Sequence, residues 1–233
     1  MRKRKKAVFN WSGGKDSALA LQKTLQGNEF EVIALLTTIE KETLKSSVHG
    51  IPVAALLRQA DSIGIPLHVV LLAKGLANYN EKMLEAAEHF KQKGVAHFIF
   101  GDIFLGDVRK LREAKLNPSG IEVVEPLWGK SSAGIISDFF GSGIKAKIIV
   151  TRADKLDKTF IGKALDKKTI SAFPEDVDVC GENGEYHTFS YAGGIFRKEV
   201  EFSILRTSKI SQDIKLDNGQ TKTFGYWQAE IIV

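Results

Sequence analysis

The sequence predicts an α/β protein: a mostly parallel sheet of five or six strands flanked by helices, Rossmann-like, with a smaller C-terminal α+β region. Three observations predict it. Short apolar runs alternate with amphipathic stretches up to about residue 128. A glycine-rich turn joins the first apolar run to the first helix. Beyond residue 128 serine and glycine punctuate the chain, and the last segment alternates like antiparallel strands. A soft boundary near residue 130 divides the chain into 1–130 and 131–233.

The first strand is Ala7-Val8-Phe9-Asn10-Trp11, followed by the turn Ser12-Gly13-Gly14-Lys15-Asp16-Ser17 and a helix on which Ala18, Leu21 and Leu25 recur. Residues 31–38 are nearly continuous in apolar character, as expected of a strand covered on both faces. A helix follows, with Pro52 in its first turn and Val53, Leu56, Leu57 and Ala60 on one face. Residues 67–72 read as strand, and 79–93 as the clearest helix, since Met83, Ala86, Ala87 and Phe90 share a face and Gly94 stops it. Residues 96–103 and 121–127 read as strands, with a polar, helix-prone segment between them. In the second half, 146–151 supplies a strand and 154–183 is polar with helix-prone pieces. Val200, Phe202 and Ile204 then alternate before a hairpin turn at Asp217-Asn218-Gly219 and a last strand from Phe224.

Composition narrows the class. Of 233 residues, 43% are hydrophobic and 26% charged, ordinary for a globular protein. No stretch approaches the ~20 apolar residues of a membrane span, and the run after the basic residues is too short for a signal-peptide core. A cytoplasmic location is expected. Cys180 is the only cysteine, which excludes an internal disulfide or a Cys-x-x-Cys site and favours a buried thiol. Much of the +5 net charge comes from residues 2–6, read as a solvated tail.

The turn at residues 12–17 is built to hold phosphate. Its glycines let successive N–H groups converge at the positive end of a helix; Lys15 adds a charge, and Ser12 and Ser17 add hydroxyls. Adjacent glycines exclude the kinase-type loop G-x-x-x-x-G-K-[ST]. In a parallel sheet ligands bind beyond the carboxyl ends of the strands, so Thr37-Thr38 and Gly101-Asp102 are expected in the same crevice. Asp16 either orients Lys15 or a metal-bound water, or is an ordinary first-turn acid. A second constellation, Glu182, Glu185 and His187, concentrates proton acceptors around a glycine turn; composition alone also fits a solvated polar loop.

The hexapeptide resembles the pyrophosphate loop of the N-type ATP pyrophosphatases, whose fold is of the adenine nucleotide alpha hydrolase-like kind. With His49 before Ile51-Pro52, Gly64-Ile65-Pro66, Pro126-Leu127-Trp128, Leu156-Asp157 with Gly162 and Leu165-Asp166, and residues 181–189, the chain resembles the diphthine-ammonia ligase family. That resemblance implies ATP and Mg²⁺ as cofactors and adenylation of a carboxylate, with pyrophosphate released and ammonia displacing AMP. It implies nucleotide contacts at Ser12, Gly13, Gly14, Lys15, Asp16, Ser17, Thr37, His49, Gly101 and Asp102, with the metal at Asp16. Lys15, Glu185 and His187 are the implied catalytic groups, and Arg109, Glu182, Asn183, Glu185, Tyr186 and His187 the implied acceptor contacts. The acceptor is expected to be a modified histidine on a translation elongation factor or a small carboxylic acid; free ammonia, pairing of two copies and neither membrane nor RNA complete the expected partners. The family loop reads Glu-Gly-Gly-Glu-Tyr-Glu-Thr, so Asn183 and His187 are departures, and of the family's Ser-Asp-Tyr-Gln-Arg only Arg109 is kept. The competing readings are sulfur insertion into RNA, which normally wants catalytic cysteines, and an adenine-nucleotide sensor without chemistry.

Overall fold

The structure is a computed structural model that describes residues 3–47, 49–104, 106–215 and 221–233. Its first half is a five-stranded parallel sheet: β1 (Lys5–Asn10), β2 (Phe30–Glu40), β3 (Leu67–Leu72), β4 (His97–Ile99) and β5 (Glu122–Val124), in the order β3-β2-β1-β4-β5. The connecting helices are α1 (Lys15–Gln26), α2 (Val53–Ile63), α3 (Tyr79–Lys91) and α4 (Gly106–Leu116). The chain winds outward from β1 to β3 and then returns to the other side of β1. The strand order therefore reverses between β1 and β4, and a crevice opens at their carboxyl ends. Asn10 spans this point, its Nδ2 donating to the Ile99 carbonyl at 3.2 Å.

The sheet is apolar on both faces because strand side chains alternate. Ala7 and Phe9 of β1 join one core and Val8 the other. Helix α3 closes the second face with Met83, Ala87 and Phe90. The first face packs on α1, α2 and α5 (Ser132–Gly141), and through them on a four-stranded antiparallel sheet. That sheet has β6 (Lys145–Arg152), β7 (Tyr186–Ala192), β8 (Ser203–Lys215) and β9 (Thr221–Ile232), in the order β7-β6-β9-β8. One core joins both halves: Leu21 of α1, Phe139 of α5, Phe189 of β7 and Ile231 of β9 all belong to it.

Several elements differ from the sequence reading. The strand expected over 96–103 is strand only over His97–Ile99: the Phe100 N–H still donates to the Val124 carbonyl at 2.9 Å, but Gly101 turns against α1, where a Cβ on it would lie 2.9 Å from the Ser17 Cα. The strand expected over 121–127 stops at Val124, where Glu125 turns in against Arg109 and Arg112. Residues 186–189, read as part of a loop, begin β7. Lys5 and Lys6, read as solvated tail, are the first two residues of β1. Residues 154–183 contain one four-residue helix, α6 (Lys167–Ile170), capped by Asp166 accepting from the Thr169 N–H at 2.7 Å. The turn expected at Asp217-Asn218-Gly219 lies outside the described residues. Among the described residues no helix is long and apolar enough to cross a membrane.

Candidate active site

The phosphate loop follows β1 directly and is braced from below by α2. Gln59, fully buried, accepts from the Trp11 indole N–H at 2.9 Å and donates to the carbonyls of Gly13 at 3.0 Å and Ser190 at 2.6 Å. Gly13 has φ +84°, which favours glycine, and a Cβ there would lie 2.9 Å from Gln59 Oε1 and from Leu56 Cδ2. The second half holds the loop from above: the Ser190 N–H donates to the Gly13 carbonyl at 2.9 Å, and the Lys15 N–H to the Thr188 hydroxyl at 2.9 Å. Within the loop the hydroxyls of Ser12 and Ser17 accept from the Gly14 and Ser12 amides at 3.3 and 3.2 Å. These hydroxyls stand where an incoming anion would compete for the same N–H groups.

Lys15 is 4% exposed. Its ammonium donates to Asp16 Oδ2 at 2.6 Å and to the Cys180 carbonyl, and lies 5.3 Å from the centre of the Tyr186 ring. Burial, the largest single effect, opposes this charge, but the Asp16 carboxylate together with Tyr186 and Cys180 more than offsets it, so the lysine pKa stands above its ordinary range. Burial in turn raises Asp16 against the pull of Lys15. The other carboxylate oxygen, Asp16 Oδ1, is buried with no hydrogen-bond partner. An orphaned acceptor beside a phosphate-type loop is a ready ligand for a cation or a donor.

Loop, strand ends and second half enclose a cavity of about 430 Å³, within the usual range for small-molecule sites. Of the residues singled out from sequence, Ser12, Gly14, Lys15, Asp16, Ser17, Thr37, His49, Gly101, Asp102, Glu182, Tyr186 and His187 line it. Gly13 shapes the loop from beneath.

The other three expected residues lie off its wall. Glu185, expected as a catalytic base, is 2% exposed and braces its own loop by accepting from the Asp178 N–H at 3.3 Å, the Asn183 N–H at 3.0 Å and Asn183 Nδ2 at 3.0 Å. Asn183 is exposed and committed to Glu185. Arg109 turns to Glu113 at 2.9 Å and stacks over Trp128 at 4.7 Å. Arg112, one turn further along α4, is the arginine that reaches the cavity. It donates to Asp102 and, at 3.4 Å, to Glu125, and lies 4.1 Å over the Phe100 ring. The spacing of acids and arginines, Asp102, Arg109, Arg112, Glu113 and Glu125, was the available signal for this network. Thr188 was also missed, although it is two residues from Tyr186 on the same strand.

The proton-carrying groups divide by environment. His49 and His187 meet on the cavity wall, ring centres 4.6 Å apart and ring planes tilted by 57°. Burial, helped by the Lys15 charge, lowers His49 to about 4. Burial, then His49 and Lys15, lowers His187 well below its usual value. Both imidazoles are neutral at pH 7 and keep a free lone pair. Glu182 moves the other way: burial, reinforced by the Asp16 charge, pushes it up to about 7.

A raised acid pKa means that the folded chain binds more protons than the unfolded chain between 4.5 and about 7, so Glu182 withdraws stability as pH climbs through that window. Glu182→Gln is expected to gain stability relative to the parent chain between about pH 5 and about pH 8, read as the difference in urea midpoints without nucleotide or metal. A pH-independent difference would assign the proton elsewhere.

The model of the diphthamide synthase N-terminal domain matches residues 5–121, and that of the diphthamide synthase C-terminal domain matches residues 132–222. The chain belongs to the diphthamide synthase family. In that frame the cavity is shared, with Lys15 from the N-terminal domain and Thr188 and His187 from the C-terminal one. Among curated relatives, the diphthine–ammonia ligase of Homo sapiens is 28% identical over 126 residues, 52% of this chain and 47% of that protein. That of Danio rerio is 26% identical over 140 residues, 57% and 54% of the two chains. The chain spans about half the length of the curated relatives it matches. Among solved structures, the U34-tRNA thiolase NcsA from Methanococcus maripaludis, with its 4Fe-4S cluster, overlaps 60% of this chain and 58% of its own at a TM-score of 0.37 and 14% identity.

Proposed function

We propose that the chain is an ATP-dependent ligase that adenylates a substrate carboxylate, releases pyrophosphate, and converts the acyl adenylate to an amide with ammonia. One observation carries the reading: a buried, charged Lys15 on a phosphate-type loop shares a single cavity with two neutral imidazoles. The curated relatives' name, diphthine–ammonia ligase, supports the amide-forming half.

Each residue has a role the chemistry requires. A carboxylate resists attack by ammonia until one oxygen becomes part of a better leaving group. When the carboxylate oxygen attacks the α-phosphorus, the bond to the β-phosphate oxygen breaks and charge gathers on the departing pyrophosphate. Lys15 meets that charge by exchanging the Cys180 carbonyl for a phosphate oxygen. Ammonia is mostly protonated at neutral pH, and nucleophilic attack also releases a proton; His187, neutral beside Lys15, accepts it. Glu182, with a pKa near 7, can pass that proton onward.

A divalent ion fits the donor set. Asp16 Oδ1 is unpartnered, Asp102 is on the same wall, and Mg²⁺ typically takes one or two carboxylates plus phosphate oxygens and water. No cluster of three or more His, Cys, Asp or Glu placed for a metal occurs among the described residues, so the protein would supply only part of a coordination shell. When bound, Mg²⁺ would neutralise phosphate charge. The acceptor is a modified histidine on a translation elongation factor or a small carboxylic acid, and the partners are ATP and free ammonia.

The test is nucleotide product analysis with ATP, Mg²⁺, an ammonium salt and a pool of carboxylic acids and translation factors. AMP and pyrophosphate that require both acceptor and ammonium are expected. ADP overturns the reading, and tight ATP binding without turnover favours a sensor. Cys180→Ala is expected to keep full turnover, because burial pushes the thiol up to about 12 and Sγ is bonded to the Ser132 carbonyl at 3.2 Å. Loss of AMP formation in that variant would restore the sulfur-inserting alternative.

A further inference from the structure

A second cleft, of about 150 Å³, opens from the main cavity between α3 and α4. Tyr79, Phe100, Val108 and Arg112 belong to the walls of both. Beyond them the cleft is closed by Met83, Leu84, Leu111 and Leu116. The spacing is regular: Val108, Leu111, Arg112 and Lys115 lie at i, i+3, i+4 and i+7 on α4, opposite Asn80, Met83 and Leu84 on α3. Helix α4 buries only Leu116 of its own residues, while Leu84, Val108 and Leu111 are 39%, 37% and 56% exposed. Two facing helices thus hold apolar side chains toward water at the edge of a site, which costs free energy unless a ligand covers them.

We propose that this cleft is the side-chain subsite of the acyl acceptor, and that it takes one compact apolar group, a six-membered ring or a branched alkyl chain. The proposal rests on the ligase reading. Size selects the group, since an apolar cavity of about 150 Å³ holds one benzene, whereas a second copy of the chain would need roughly 800 Å² of each partner. Position selects the acceptor rather than the nucleotide. The residues of the phosphate loop line the main cavity and none of them lines the cleft, which offers a base few polar groups beyond Tyr79, Asn80 and two cations. Continuity supplies the link: a group seated between Leu84 and Leu111 is joined past Val108 and Arg112 to a carboxylate in the main cavity.

The test uses the full chain with Mg²⁺ and ATP, and phenylacetate and 3-methylbutanoate as probes against acetate and succinate. Ligand-observed NMR is expected to show both apolar acids bound at least tenfold more tightly than the short or polar ones. Leu84→Asp/Leu111→Asp, which makes the cleft polar, and Leu111→Trp, which fills it, are each expected to weaken phenylacetate about tenfold and leave ATP affinity unchanged, neither leucine being on the wall of the main cavity. Apolar acids that bind no better than acetate, or equally well to both variants, overturn the proposal. So does a monomer–dimer equilibrium that the double variant abolishes, since the cleft would then be a self-association face. AMP formation separates the two readings. Turnover of polar acids that neither variant affects leaves the ligase standing without this subsite; cleft-dependent binding of apolar acids with no AMP leaves the subsite standing without the ligase.

Discussion

If the chain is the proposed ligase, Lys15→Met is expected to lower AMP formation by about 10²–10³-fold, the usual cost of removing one donor from developing transition-state charge. The variant also strands Asp16, which loses the ammonium 2.6 Å away while its Oδ1 already lacks a partner. Since burial already raises Asp16, the carboxylate takes up a proton instead of staying charged, and the stability loss grows as pH rises. Lys15→Met/Asp16→Asn therefore regains stability but not turnover. Single-turnover AMP formation and urea denaturation on the four chains of this cycle measure both terms. Equal loss of turnover and stability in Lys15→Met, with both restored by Asp16→Asn, would reduce Lys15 to a structural partner.

Gly13→Ala destabilises the chain by about 2–5 kcal/mol, combining a left-handed conformation for a residue with a Cβ and overpacking against α2. Ile51 Cδ1, Leu56 Cδ2 and Gln59 Oε1 all lie within 3.0 Å of that Cβ, and the three residues are fully buried. Gln59 cannot swing aside without releasing Trp11, Gly13 and Ser190 together. Chemical denaturation reads the loss. Gly75→Ala is the control, because φ there is +68° but no atom lies within 4 Å of the added Cβ. A similar loss at both positions would assign the whole effect to backbone conformation.

The parallel sheet and the phosphate loop were legible because their signals are local. Residues 31–38 are apolar on both faces, and the loop is contiguous in sequence. What escaped depends on contacts between distant segments. His187 was assigned to a polar loop because a polar side chain facing a ligand cavity has the same sequence pattern as one facing water, so β7 was hidden. Glu185 was taken for a base because a carboxylate satisfied by backbone N–H groups has the same letter as one held free for chemistry. Arg109 was taken from family order and Arg112 went unremarked, because which of two arginines on neighbouring turns reaches the cavity is decided by where Asp102 and Phe100 lie. The buried Cys180 was read correctly from its isolation.

The bond from Lys15 to Thr188 joins residues 173 positions apart. At ~5–20 residues per second, a ribosome needs roughly 10 to 35 s to supply the second after the first. For that interval the nascent phosphate loop lacks the hydroxyl over its Lys15 amide and the Ser190 N–H on its Gly13 carbonyl. A growing chain in the cell thus carries the loop well before β7 emerges to complete the contacts around it. Any anion that the loop holds therefore gains its full set of contacts only after β7 has formed, so ligand binding favours the assembled pair of sheets and does little for a fragment that carries the loop alone.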